Sequence, residues 1–212
     1  MNELEFIRRQ VSIERSHMAA VRSACAAALA RDGGTAPDPE FLEACARYLL
    51  FVVGRFNAQD QAHCDLLRPR LDAADVEGRE TIDDLRQALA ASREAIGRLA
   101  AAVESRGAGT RDDSSFVEAL REYLGFHARV LATRRHSIHH LFDRHYGIAE
   151  WRLASAVDAD SILEERERYA RVVGCLPEGL SLAPSELPAA GLPPSAPAVA
   201  PAPGATASPR GD

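Results

Sequence analysis

Residues 39–72 read PEFLEACARYLLFVVGRFNAQDQAHCDLLRPRLD, and this stretch decides the fold. Its apolar side chains recur at alternating steps of three and four residues, which is the spacing of one face of an α-helix. The members of this seam are Leu42, Cys45, Leu49, Val52, Phe56, His63 and Leu67. A seam of this length predicts a long helix that packs against other helices.

Three further stretches, residues 3–31, 79–106 and 113–145, repeat the pattern. Their linkers are short, so helices that follow one another in the chain should be antiparallel neighbours. We therefore predict an all-α fold, an up-down-up-down four-helix bundle. Two shorter helices, one around Trp151 and one over 160–174, are expected to flank it.

The composition changes after residue 175. Residues 176–212 contain nine of the 12 prolines and no aromatic side chain. Such a segment buries too little apolar surface to offset the entropy of ordering. The sequence thus predicts a helical domain over 1–175 and a disordered Pro/Ala-rich tail over 176–212.

Charge and composition exclude several classes of protein. The chain carries 25 basic and 31 acidic residues, a net charge of -6, so no overall field attracts nucleic acid or an anionic membrane surface. Its start, MNELEFIRRQ, lacks the apolar core of a secretory signal, and we expect a cytoplasmic protein. Cys25, Cys45 and Cys64 lie within helical patterns and are expected to be reduced core residues.

Polar residues at seam positions are informative because bundle cores are normally apolar. Glu14, Asp60, Ser92 and Arg134, one on each of the four long helices, lie at a similar height, counted at about 1.5 Å per residue. His17, His63 and His127 are further polar residues at seam positions, with His127 two turns from Arg134. Glu14 with His17, and Asp60 with His63, also put a carboxylate and an imidazole at i, i+3 on one helix face. Metal sites in bundle cores are built from such pairs on facing helices.

At these residues the chain resembles the hemerythrin-like (HHE cation-binding) family. The resemblance covers about residues 3–153 and rests on IERSHMAAV, RFNAQDQAHCDLLRPRL, EYLGFHARV and IAEWRLAS. It implies a di-iron centre that binds oxygen or nitric oxide, with His17 as the first-helix ligand and His127 as the fourth-helix ligand. The family's second-helix motif is H-x-x-x-E, where this chain has Asp60-x-x-His63.

The first functional hypothesis is therefore a non-heme iron protein. One or two iron ions would be held by His17, His63, Glu14 and Asp60, with His127 as a further candidate. An open coordination position would bind O2, NO or peroxide. Binding or sensing is favoured over catalysis, because no second acid–base pair is evident.

The second hypothesis is a metal-free bundle that acts as an interaction or scaffold module for a protein partner. Leu131 or Arg134 stands where the family has a carboxylate, and a buried Arg134 guanidinium could bridge Glu14 and Asp60 in place of a metal. The nearby run RRHSIHHLFDRHY, residues 134–146, could form a metal or anion site through His136 and His140. A solvated helix face is the favoured interpretation of this run.

Overall fold

A computed structural model describes residues 2–30, 38–107, 113–131, 134, 138–155 and 158–182. Within these ranges the ordered elements are helices and the chain has no β-strand, so the prediction of an all-α fold is confirmed. The predicted tail beyond residue 182 lies outside the described residues. No helix in the described ranges is both long and apolar enough to cross a membrane.

The structure contains seven α-helices in its described part, which we number in chain order. They are α1 (Glu3–Leu29), α2 (Pro39–Leu67), α3 (Val76–Gly107), α4 (Asp113–Phe126), α5 (His139–His145), α6 (Ile148–Ser155) and α7 (Ala159–Gly174). A 3-10 turn, Arg68–Arg70, follows α2, and a π-helical turn, His127–Leu131, extends α4.

Helix starts follow from local side-chain chemistry. The Asn2 side chain accepts a hydrogen bond from the Glu5 backbone N–H, and the Glu5 carboxylate accepts one from Asn2, which is a capping box. Asp38 caps α2 ahead of Pro39, and Asp158 caps α7. These caps satisfy N–H groups that lack a partner within the helix.

Helix α2 is the centre of the packing. It contacts α1, α3, α6 and α7, while α4 contacts both α3 and α1. The apolar core has two clusters. The larger contains Cys25, Phe41, Tyr48, Leu99 and Phe116, and the smaller contains Ile7, Leu67, Leu85, Leu141 and Trp151. The predicted burial of Cys25, Cys45 and Cys64 is confirmed.

The fourth predicted helix differs from the structure. The sequence predicts a single helix over 113–145, but the α-helix ends at Phe126, a π-helical turn comes next, and α5 begins separately at His139. A π-helical turn holds more residues than an α-helical one, so residues after it are rotated relative to the expected seam. Seam positions after His127 are therefore not those that α-helical spacing predicts.

The predicted start of the tail, residue 176, lies before the end of the packed domain. Leu176, Leu180 and Leu182 pack against the larger core cluster. Residues 176–182 are thus part of the packed domain, because scattered leucines at the end of α7 still find apolar surface to cover.

Candidate functional site

A layer of buried polar side chains separates the two apolar clusters on α2 and α3. It includes Glu14, His17, Asn57, Gln59, Asp60, His63, Ser92 and His127, each at most 4% exposed. The burial expected for the candidate ligands is therefore confirmed. Buried polar groups need partners, so the identity of those partners decides what the layer can do.

His17 is bound by a carboxylate from α7. Its Nδ1 lies 2.9 Å from Glu165 Oε1, and the Tyr48 hydroxyl donates to the same oxygen at 2.7 Å. The His17 ring stacks on Tyr169 with centroids 3.9 Å apart. His17 and Glu165 are fully buried, and His17 Nε2 and Glu165 Oε2 find no hydrogen-bond partner among the described residues. This network joins α1, α2 and α7.

Glu14 is bound by a guanidinium. Arg55 donates to its Oε2 at 3.1 Å and Gln10 donates to its Oε1 at 3.3 Å. Burial raises the pKa of Glu14, while Arg55 and Gln10 oppose that change and the charge of Glu165 adds to it. Burial and the nearby Glu165 also raise the pKa of Tyr48, which keeps its hydroxyl protonated as a donor.

Asp60 and His63 are adjacent on one face of α2 but have separate partners. Arg15 lies 3.9 Å from an Asp60 carboxylate oxygen. His63 Nδ1 lies 3.0 Å from the Tyr146 hydroxyl, and its ring packs against Phe142. Burial, and then the positive charges of Arg15 and His139, lower the pKa of His63 from 6.5 to about 3. His63 is therefore neutral in the folded protein.

His127 belongs to a third environment. It begins the π-helical turn, and its ring meets Tyr123 edge to face. Arg22 Nη1 lies 3.4 Å from His127 Nε2. A guanidinium is only a donor, so this Nε2 accepts the hydrogen bond.

The five candidate ligands do not fit an iron centre. They are Glu14, His17, Asp60, His63 and His127. A non-heme iron site needs about three protein ligands converging on one ion. In the described part of the chain, no three His, Cys, Asp or Glu side chains form such a group. Guanidinium groups contact Glu14, Asp60 and His127, and His17 shares only Glu165 among potential ligands.

The proposed buried bridge by Arg134 is wrong. Its side chain is 49% exposed and forms an ion pair with Asp84 on α3. Arg55 and Arg15 instead supply the guanidinium groups beside Glu14 and Asp60. The α-helix ends at Phe126 and a π-helical turn follows, so α-helical spacing does not extend the seam to Arg134.

We predict that Arg134→Ala changes the free energy of unfolding by less than about 1 kcal/mol, since exposed ion pairs stabilise little. Urea denaturation followed by circular dichroism measures this. Arg55→Ala is the matched variant and should cost more, because it removes the partner of a buried carboxylate. A loss of several kcal/mol for Arg134→Ala would contradict the prediction.

An open cleft lies beside the polar layer, lined by residues of α1, α2, α5 and α6, with a volume of about 520 Å³. We call it the α1 cleft. It is lined by Arg8, Val11, Ser12, Arg15, Ser16, Ala19, His63, His139, Phe142 and Trp151. The run at residues 134–146 contributes to it, since His139 is exposed and lines the cleft, whereas His136 lies outside the described residues.

The charged side chains of the α1 cleft are positioned by aromatic and imidazole groups. The Arg8 guanidinium lies over the Trp151 ring, 5.1 Å from its centroid. Arg15 Nη1 lies 3.4 Å from His139 Nε2. Two guanidinium groups and the aromatic rings of Phe142 and Trp151 therefore line the same opening.

Several functional residues escaped sequence reasoning. The sequence does contain a signal for Glu165. It shares one helical face with Ile162, Tyr169 and Val172, and all four residues are buried. A carboxylate on that apolar face indicates a buried partner. Arg8 and Arg15 gave no such signal, since arginine on an exposed helix face is ordinary.

Comparisons with models of known protein families, with curated proteins and with solved structures found no match to this chain. The resemblance to the hemerythrin-like family stays a prediction from sequence motifs.

Proposed function

We propose that this chain is a helical bundle, with α1 to α4 in up-down-up-down order, that binds a small organic molecule in the α1 cleft. The observation that carries this proposal is the cleft itself. Its volume of about 520 Å³ falls within the range of small-molecule sites, and it combines apolar walls with a few polar groups. Binding between the helices of a bundle is a common location for such sites.

The polar layer supports this function as a scaffold. His63 lines the cleft and is fixed by Tyr146, Phe142 and Trp151. Arg15 lines the cleft while also contacting the buried Asp60. Binding groups held by buried partners lose little side-chain freedom when a ligand arrives, which favours affinity.

The two hypotheses drawn from the sequence have less support. Iron that binds O2, NO or peroxide would need a donor set that the five candidate ligands do not provide. Metal analysis of the purified protein tests the prediction of an iron site. A protein-interaction module would show a continuous exposed apolar surface. The large exposed apolar side chains of the described residues are instead distributed over four elements: Val76, Val130, Leu153, Leu163 and Val173.

We predict that Ala19→Phe blocks the cleft. Ala19 is exposed and lines the opening, so a phenyl ring fills space without disturbing the core. Two dyes with one ring system, anilinonaphthalene sulfonate and phenylnaphthylamine, serve as probes. At least one should bind with one site per chain, and Ala19→Phe should weaken that binding by about tenfold or more. Dye fluorescence titration measures it.

Ala101→Phe is the matched control, because Ala101 is an exposed alanine on α3 and does not line the cleft. It should leave dye affinity unchanged. If neither dye binds, or if Ala19→Phe and Ala101→Phe bind dye equally well, the proposed function is wrong.

A further inference from the structure

The charges around the α1 cleft are unequal. Arg8 and Arg15 lie on its wall, seven residues apart on α1 and thus about 10 Å apart along the helix axis. No aspartate or glutamate is among the lining residues. Asp60, a carboxylate that contacts Arg15, is 2% exposed, and its oxygen lies 3.9 Å away, a long distance for an ion pair.

Arg8 has no ion-pair partner among the described residues, and its guanidinium lies against the face of Trp151. Cation–π contact holds a guanidinium in place while leaving its N–H edges available to a further acceptor. A guanidinium fixed in this way at the rim of a cleft is suited to an incoming oxyanion.

Positive charge predominates among the side chains that line the cleft, since Arg8 and Arg15 line it and no carboxylate does. His63 lines the cleft, and the charges of Arg15 and His139 both oppose its protonation. Arg15 Nη1 donates to His139 Nε2 at 3.4 Å, so His139 helps to hold the Arg15 guanidinium at the cleft. This local field contrasts with the net charge of -6 for the whole chain, which disfavours long polyanions.

The remaining walls are apolar. Val11, Phe142 and Trp151 line the cleft between the charged groups. Aromatic faces favour a flat apolar body, and the Ser12 hydroxyl on the same wall offers a hydrogen bond to a polar edge.

We propose that the ligand of the α1 cleft is a small organic oxyanion, an anionic head group on a flat apolar body, with Arg8 binding the head group and Arg15 adding positive charge to the same cleft. This inference rests on the proposed function and adds the chemical class of the ligand. Carboxylates, sulfonates and phosphate monoesters share the required head-group chemistry.

The same two dyes test the charge requirement, because they differ in the sulfonate group. The sulfonate dye should bind about tenfold tighter than the neutral dye, and added salt should weaken its binding. Arg8→Gln should reduce affinity for the sulfonate dye by about tenfold and leave the neutral dye nearly unchanged. Arg98→Gln, an exposed arginine on α3 that pairs with Glu122, is the matched control and should change neither.

Arg15→Gln provides a second variant, with urea denaturation to confirm that it folds, since Arg15 also contacts Asp60. Benzoate and phenyl phosphate, added as competitors, identify the head group by which of them displaces the sulfonate dye at lower concentration. The anion proposal is overturned if both dyes bind with equal affinity, Arg8→Gln changes neither affinity, and Ala19→Phe weakens both. That result would still support binding in the cleft. Failure of the Ala19→Phe test overturns the function itself.

Discussion

Glu165→Ala is expected to lower the free energy of unfolding by about 3–5 kcal/mol, because it removes one partner of a fully buried polar network. The His17 Nδ1 and the Tyr48 hydroxyl both lie within hydrogen-bond distance of one oxygen of Glu165. Without the carboxylate, both groups stay buried and lose that partner. Urea denaturation of the full chain, followed by circular dichroism, measures the loss.

Glu164→Ala is the matched control, one residue earlier on α7. Glu164 is 47% exposed and pairs with Arg168 one turn away, a contact that contributes about 0.5 kcal/mol or less. Glu165→Gln should fall between the two, because its amide oxygen can still accept from Tyr48. Equal losses for Glu165→Ala and Glu164→Ala would show that the network does not hold α7 to the bundle.

Acidification is expected to destabilise the protein through His63. An unfolded histidine binds a proton near pH 6.5, whereas the folded protein keeps the pKa of His63 at about 3. Between these values the unfolded state binds the proton and the folded state does not, so stability falls as the pH falls from 6.5 towards 3. The full effect of this one residue is about 4–5 kcal/mol.

His63→Phe isolates this contribution. A phenyl ring suits the surrounding Phe142, Tyr146 and Trp151 but cannot bind a proton. The stability of the His63→Phe variant should therefore depend less on pH between 6.5 and 3. Its free energy of unfolding at neutral pH should be lower, because the contact with the Tyr146 hydroxyl is lost. His140→Phe, at an exposed position on α5, should keep the slope of the natural sequence. Parallel slopes for all three proteins would contradict the prediction.

Glu14 acts in the opposite direction. Its pKa is raised in the folded state, so its contribution to stability is present at low pH and is lost as the pH rises through the folded pKa. Protonation of Glu14 therefore offsets part of the acid destabilisation from His63. The comparison of His63→Phe with the natural sequence separates the two, because Glu14 is present in both.

Helical periodicity predicted the helices and the buried polar layer, since both depend on which residues share a face. Glu14, His17, Asp60 and His63 lie inside as their spacing indicates. Periodicity does not determine how each helix is rotated about its axis, nor which helix becomes its neighbour. The pairing of Glu14 with Arg55 depends on both.

Two particular features account for the remaining differences. The π-helical turn His127–Leu131 interrupts the α-helical register. No residue pattern in its sequence, HARVL, predicts such a turn. Glu165 reaches His17 from 148 residues away in sequence, through the docking of α7 on α2 and α1. The height of a residue along the bundle axis does not indicate which further helix packs beside it.

The packing of Leu176, Leu180 and Leu182 has a practical consequence. These leucines cover the larger core cluster, where α1 ends and α2 begins, whereas Trp151 belongs to the smaller cluster. Removal of the chain after Gly174 would therefore uncover apolar surface of the larger cluster. A shortened protein that ends after Leu182 would keep all three of these contacts.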